Sequence, residues 1–194
     1  MSKDENVRLH KESVIIDGLN ASYLFNEDVL RRLKEGGITA INSTVAAWHS
    51  LPETMNFIAD YYNLFEQYAD TIMPVREVAD IVALPGMLTG QDSASLNDYI
   101  DVIDYLVDLI GVNHVGLGPD FMEEVPDEVI APSLKGISPS DREKFYSSTI
   151  VDGFESISRC PAVTSALLER GYKPEDVKKI IGENWLRLYG EVWK

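Results

Sequence analysis

The chain has 194 residues, 45% of them hydrophobic, and 17 Lys and Arg against 32 Asp and Glu give a formal charge of −15. Length and apolar content suit one domain, residues 1–194, with a single core; the negative field excludes nucleic acid and anionic membranes as partners. A single cysteine, Cys160, excludes an internal disulfide framework and points to the cytoplasm, and neither the polar start, Met1 to Lys11, nor any later run has the apolar length of a signal core or a membrane span.

In chain order, Ser13 to Gly18 is a β-branched run ended by a turn signal, the first strand. Asn26 caps a helix that opens with Glu27 and Asp28, acids where the helix dipole favours them. Val29, Leu30 and Leu33 form its inner face, and Gly36-Gly37 stops it. Ile38 to Ala47 is the second strand. Ser50-Leu51-Pro52-Glu53 combines a capping box with a first-turn proline. The helix it opens runs to Tyr68, with Met55, Ile58, Tyr62 and Phe65 inward. This β-α-β-α order implies parallel strands and right-handed crossovers.

Thr71 to Val75 reads as a short strand or a connector, Glu77 to Ile81 as a helical turn, and Val82 to Pro85 as a third strand before a loop, Gly86 to Ser95. Leu96 to Ile110 carries the strongest helical spacing: Leu96, Tyr99, Ile100, Ile103, Leu106, Val107 and Ile110 face inward. Asp98, Asp101, Asp104 and Asp108 form a solvated face, and Gly111 stops the helix. His114 to Gly118 reads as a short buried strand, and Pro119 ends its pairing. Glu123 to Ser158 is a long loop with a short helix near Asp141 to Tyr146. Pro161 opens a helix through Arg170 that Gly171 closes. Pro174-Glu175-Asp176 starts another, and Gly182 to Leu186 begins the last, with Trp185, Leu188 and Trp193 packed on the sheet.

Asp17 and Asp120 both follow strands, where α/β folds gather ligand groups. Two such carboxylates bind a metal or serve as acid and base; the alternative is that each caps a turn. His49, just after the second strand, is a ligand candidate or a structural residue beside a helix start. His114 begins its strand, roughly 20 Å from Asp120, so the two cannot share a metal and His114 is a packing or hydrogen-bonding residue. Three scattered histidines and one cysteine do not supply a closed zinc site within one chain; an oxygen-rich cation site is compatible with the acidity. Nucleophile elbow, P-loop and dinucleotide fingerprints are absent from the sequence. Cys160 reads as a small buried hydrophobe.

Four stretches resemble the membrane (renal) dipeptidase family of zinc metallopeptidases, amidohydrolase-like TIM barrels. They are Val14 to Gly18, Leu30 to Ala40, Gly111 to Phe121, and Leu168 to Tyr172 continuing through Ile181 to Arg187. The resemblance implies a metal-dependent hydrolase of dipeptides or related amides, with zinc or another divalent metal. It places Asp120 in the catalytic position beside the metals; Asp17 and His49 join Asp120 as metal candidates only from their places after the first two strands. The family's first strand ends Asp-Gly-His-x-Asp; here Leu19 stands for the histidine and Ala21 for the aspartate. The strands that carry the remaining ligands have no counterpart between Ile81 and Val82. A closed barrel takes about 250 residues. The expected fold is therefore an incomplete TIM-barrel-like parallel β/α domain of about four strands. Its open edges are either paired in a homo-oligomer, the favoured reading, or covered in one chain by the Glu123 to Ser158 segment. The functional alternative is a non-catalytic scaffold or binding homologue.

Overall fold

A computed structural model describes residues 2–45, 49–73, 94–130, 138 and 151–192. Helix α1 (Lys3–Glu12) is opened by a capping box between Ser2 and Glu5. Strand β1 (Ile16–Asn20) is buried at every position. Helix α2 (Glu27–Glu35) starts on Asn26, whose side chain accepts the Asp28 amide. Strand β2 is Ala40–Ser43, shorter at both ends than the expected 38–47. Helix α3 (Leu51–Gln67) begins where the Glu53 carboxylate takes the Ser50 amide at 2.7 Å and hydroxyl at 2.6 Å.

Beyond these come β3 (Ala94–Ser95) and α4 (Leu96–Ile110), which has the bounds its spacing predicts. Gly111, at φ 87°, ends α4. The expected long loop is broken by a short helix, α5 (Asp127–Ile130), by β4 (Val151–Asp152) and by a 3₁₀ turn (Ile157–Arg159). Helices α6 (Cys160–Glu169) and α7 (Pro174–Lys178) follow, and α7 runs through a π turn (Lys179–Glu183) into α8 (Asn184–Val192).

Both strand pairs are parallel, β1 with β2 and β3 with β4. The α/β class and parallel pairing follow the sequence, and no barrel closes among the described residues. β1 is central. On its other side residues 117–121 run alongside it: Gly18 donates to the Leu117 carbonyl at 2.9 Å, Asp120 to Leu19 at 3.0 Å, and Ala21 to Phe121 at 2.7 Å.

This contact replaces the expected strand from His114 to Gly118. Val112–His114 is a 3₁₀ turn, and His114 is exposed rather than packed. The Leu117 carbonyl accepts the Trp185 indole N–H at 2.8 Å as well as the Gly18 amide. A β-carbon on Gly18 or Gly116 would overlap the Trp185 ring, so both positions need glycine for the indole to seal the two segments together.

The inner face of α3 also differs from expectation. Met55, Ile58 and Tyr62 are exposed, and Tyr61 and Leu64 are buried. Leu24, Val29, Tyr61 and Leu64 form a small satellite core against α2. Thr71–Met73 holds no strand. The elements expected over 77–81, 82–85 and 141–146, and Trp193, lie outside the described residues. The main core gathers Ile15, Ile100, Leu117, Phe154, Val163 and Ile180 among others. Cys160 is buried, as expected. The α4 aspartates are less free than expected, because Asp101 and Asp104 both pair with Arg170. No described helix is long and apolar enough to cross a membrane.

Candidate functional site

The site is built at the exit of β1. Between Asp17 and Asn20 the pairing with β2 slips: three steps along β1 match two along β2. This β-bulge bends the strand end and re-aims its side chains. Asp17 supports it. One carboxylate oxygen accepts the Leu19 amide at 3.0 Å and the other the Asn20 side-chain N–H at 2.8 Å. Asn20 accepts the Ser22 amide at 2.9 Å. The Ser22 hydroxyl donates to the Phe121 carbonyl at 3.3 Å and accepts the Glu123 amide at 3.0 Å. Asp17, Asn20 and Ser22 are all buried. A buried polar chain of this kind is stable only when its members are satisfied, and here each hands on a hydrogen bond to the next. Tyr99 closes the floor; burial and the nearby Asp17 charge push its hydroxyl well above the usual tyrosine range.

Asp120 sits above this floor, at the end of the segment paired to β1. Its backbone is left-handed, φ 56°. Its side chain is half-buried, and among the described residues no hydrogen bond or ion pair reaches the carboxylate. Burial without a partner disfavours the charged form and pushes its pKa up to about 6. Such a carboxyl is poised to exchange a proton near neutral pH.

His49 lies elsewhere, just before α3. Its Nε2 donates to the Val129 carbonyl at 3.2 Å and its ring meets Phe57 edge-on. A proton on Nε2 leaves Nδ1 as a bare lone pair, and Nδ1 is buried without a partner. The third histidine, His10, is sealed between Thr164 Oγ1, 2.7 Å from Nδ1, and the Gly36 carbonyl, 2.9 Å from Nε2. The first strand is Ile16–Asn20 rather than the expected 13–18, so Asp17 lies inside it instead of after it. Asp17 reaches the strand exit only through Leu19 and Asn20, Asp120 meets that exit through its amide to Leu19, and the histidines stand on other elements. The residues that sequence reasoning passed over are Asn20, Ser22, Arg32 and Glu123. For Asn20 and Ser22, polar residues clustered at the end of a strand were the available signal; Arg32, on α2, and Glu123 carried none.

The sequence matches membrane dipeptidase (Peptidase family M19) over residues 26–133 and 145–194. The chain belongs to the membrane dipeptidase family. It is 35% identical to dipeptidase aclJ of Aspergillus oryzae over 52% of this chain and 18% of that protein. It is 29% identical to dipeptidase tcpJ of Claviceps purpurea over 67% of this chain and 25% of that protein. The chain therefore matches a quarter or less of the length of these dipeptidases. A crystal structure of an amidohydrolase from Pseudomonas aeruginosa shares the fold, with a TM-score of 0.78 at 18% identity over 97% of this chain and 99% of that one.

Peptidase family M19 is generally metal-dependent, so the donor set bears on the fit of a metal. The two positions after Gly18 where the family resemblance places ligands carry Leu19 and Ala21. Asp17 directs both carboxylate oxygens into the bulge. Among the described residues, no three His, Cys, Asp or Glu side chains converge to hold a metal ion, and these residues include every histidine and the cysteine. The donors described do not fit a family-type zinc site.

Proposed function

We propose that this chain is a divergent dipeptidase-family domain that binds a small peptide or amide at the exit of β1 and does not hydrolyse it unaided. Asp120 is the working carboxyl. The observation that carries this reading is its half-buried, unpartnered carboxylate beside a strand end whose neighbouring ligand positions are Leu19 and Ala21. The protonated acid donates to a substrate carbonyl, and the carboxylate accepts a peptide N–H. Asp17 holds the bulge that aims this strand end. We place the protein in the cytoplasm on its single cysteine, with a homo-oligomer covering the open strand edges.

The second reading is a metal-dependent hydrolase of dipeptides or related amides, using zinc or another divalent metal with Asp120, Asp17 and His49. Family membership supports it, as does the bare lone pair of His49 Nδ1.

Metal analysis after gel filtration, with a dipeptide binding and hydrolysis assay, separates the two. The expected result is substoichiometric zinc, no turnover, and dipeptide binding that Asp120→Asn weakens. Stoichiometric zinc with turnover abolished by Asp120→Asn would overturn the first reading in favour of the second.

A further inference from the structure

The segment Asp120-Phe121-Met122-Glu123-Glu124 is held in a conformation its own sequence does not favour. Asp120 and Glu124 both have φ 56°, and they are the only non-glycine residues in the left-handed region among the described residues. Aspartate tolerates that region through its short polar side chain; glutamate has no such relief. No glycine lies in the segment. Non-glycine residues persist in such conformations only where their surroundings over-determine them.

The over-determination centres on Glu123. Its side chain is only 8% exposed. One carboxylate oxygen accepts the Arg32 guanidinium at 2.9 Å, and the other accepts the Ile157 amide at 2.6 Å. Its amide donates to the Ser22 hydroxyl at 3.0 Å, and its carbonyl accepts the Tyr23 amide at 2.8 Å. The second guanidinium nitrogen of Arg32 holds Glu124 at 2.9 Å. Glu123 is thus bonded through its amide, its carbonyl and both carboxylate oxygens. Its partners lie on the exit of β1, on α2 and on the 3₁₀ turn before α6. Asp120 contributes one backbone bond of its own, to Leu19.

We infer that Glu123, locked by Arg32 and the Ile157 amide, is the positioning residue that holds Asp120 in its left-handed turn at the exit of β1. The inference rests on the reading of Asp120 as the working carboxyl. A peripheral ion pair would not explain the arrangement: surface pairs order little, whereas this one is largely shielded and joins groups 91 residues apart. Glu123 does not act on a ligand itself. It fixes the chain three residues downstream, so that Asp120 cannot relax to an extended backbone.

The test is backbone NMR with amide hydrogen exchange on Glu123→Ala, Arg32→Met and the double variant Asp120→Gly/Glu123→Ala. In Glu123→Ala the Asp120 and Ala21 amides should exchange at least about tenfold faster, with α4 and α6 amides unchanged. The ¹³Cα and ¹³Cβ shifts of Asp120 should leave their left-handed pattern. Arg32→Met should act in the same direction, more weakly. In the double variant protection should return, because glycine adopts the left-handed turn without steric cost. A folded Glu123→Ala protein with unchanged shifts and exchange overturns the inference, as does a double variant in which protection stays lost, since that marks general packing. If Glu123→Ala does not fold, Glu123→Gln serves: it keeps an acceptor for Ile157 and loses the ion pair, and unchanged exchange there overturns the inference equally. None of these readouts involves a ligand. Failure of the wild-type protein to bind dipeptide would sink the functional reading and leave the positioning result standing.

Discussion

Asp120 carries the sharpest consequence at the scale of single residues. Its folded-state pKa is raised to about 6, against about 3.9 in an unfolded chain. The folded protein therefore binds more protons between those values, and Asp120 makes stability fall as pH rises through that window. The full shift would correspond to about 3 kcal/mol; solvent screening of a half-buried group reduces the expectation to about 1 kcal/mol. Asp120→Asn should stabilise the protein by that amount at pH 7 and by nothing at about pH 3.5, while weakening dipeptide binding. Asparagine also accepts the left-handed backbone. Urea denaturation at the two pH values decides it, and equal or lower stability of the variant at pH 7 refutes the burial argument. Gly116 gives a second case: Gly116→Ala drives a methyl into the Trp185 ring, an overpacking cost of about 1–3 kcal/mol. A lowered thermal midpoint with altered tryptophan fluorescence is expected, and an unperturbed midpoint would contradict the packing described.

Among the elements, α1 depends on one titratable contact. It buries Asn6, Leu9 and His10, so two of its three buried side chains are polar. Burial holds the His10 pKa below the usual histidine value, against a smaller upward pull from the Gly36 carbonyl. Because Nε2 donates to that carbonyl, a second proton must go on Nδ1, where the Thr164 hydroxyl donates. The unfolded chain binds that proton more readily, so stability is flat above about pH 6.5 and falls as pH drops below it toward the lowered folded value. This sign is opposite to that of Asp120. Wild type compared with His10→Gln, each measured at pH 7 and pH 5, isolates it: the variant should lose less stability on acidification, and α1 amides of wild type should exchange faster at pH 5 after correction for intrinsic rates. Parallel losses in both proteins would remove His10 as the cause.

The same scale shows what a sequence can reveal. The starts of α2 and α3 were legible because Asn26 and the Ser50–Glu53 pair act on their own first turns. α4 was legible from its apolar spacing, whereas Asp98, read as a solvated-face residue, takes the Ser95 amide. The inner face of α3 was not, because the helix carries two overlapping stripes at helical spacing. One holds Met55, Ile58 and Tyr62 and the other Tyr61 and Leu64, and only contact with Leu24 and Val29 selects the second. β3 and β4 are two residues each, too short for any alternation to register. At the site, Asp120 was legible from Pro119 and the glycine-bearing run before it. Glu123 was not, because its partners are separated from it by 91 residues at Arg32 and by 34 at Ile157.

For the whole molecule, the two cores imply unequal local stability. The main core joins α4, α6 and α7 with the segment 115–121 and with Ile15, which leads into β1. The satellite core rests on four buried residues, Leu24 before α2, Val29 on it, and Tyr61 and Leu64 on α3. α3 buries two of its 17 residues and α6 four of its ten. Regions with few buried apolar contacts open at lower free energy than the global transition. Native-state hydrogen exchange in low urea should therefore show α3 amides exchanging by sub-global opening, about 100-fold faster than those of α4 and α6. β1 should follow the slow group, because residues 117–121 and the Trp185 indole bind it independently of β2 and α3. The bulge and Asp120 would then remain structured while α3 opens. Coincident protection of α3 and α6 would instead show that the two cores open as a single cooperative unit.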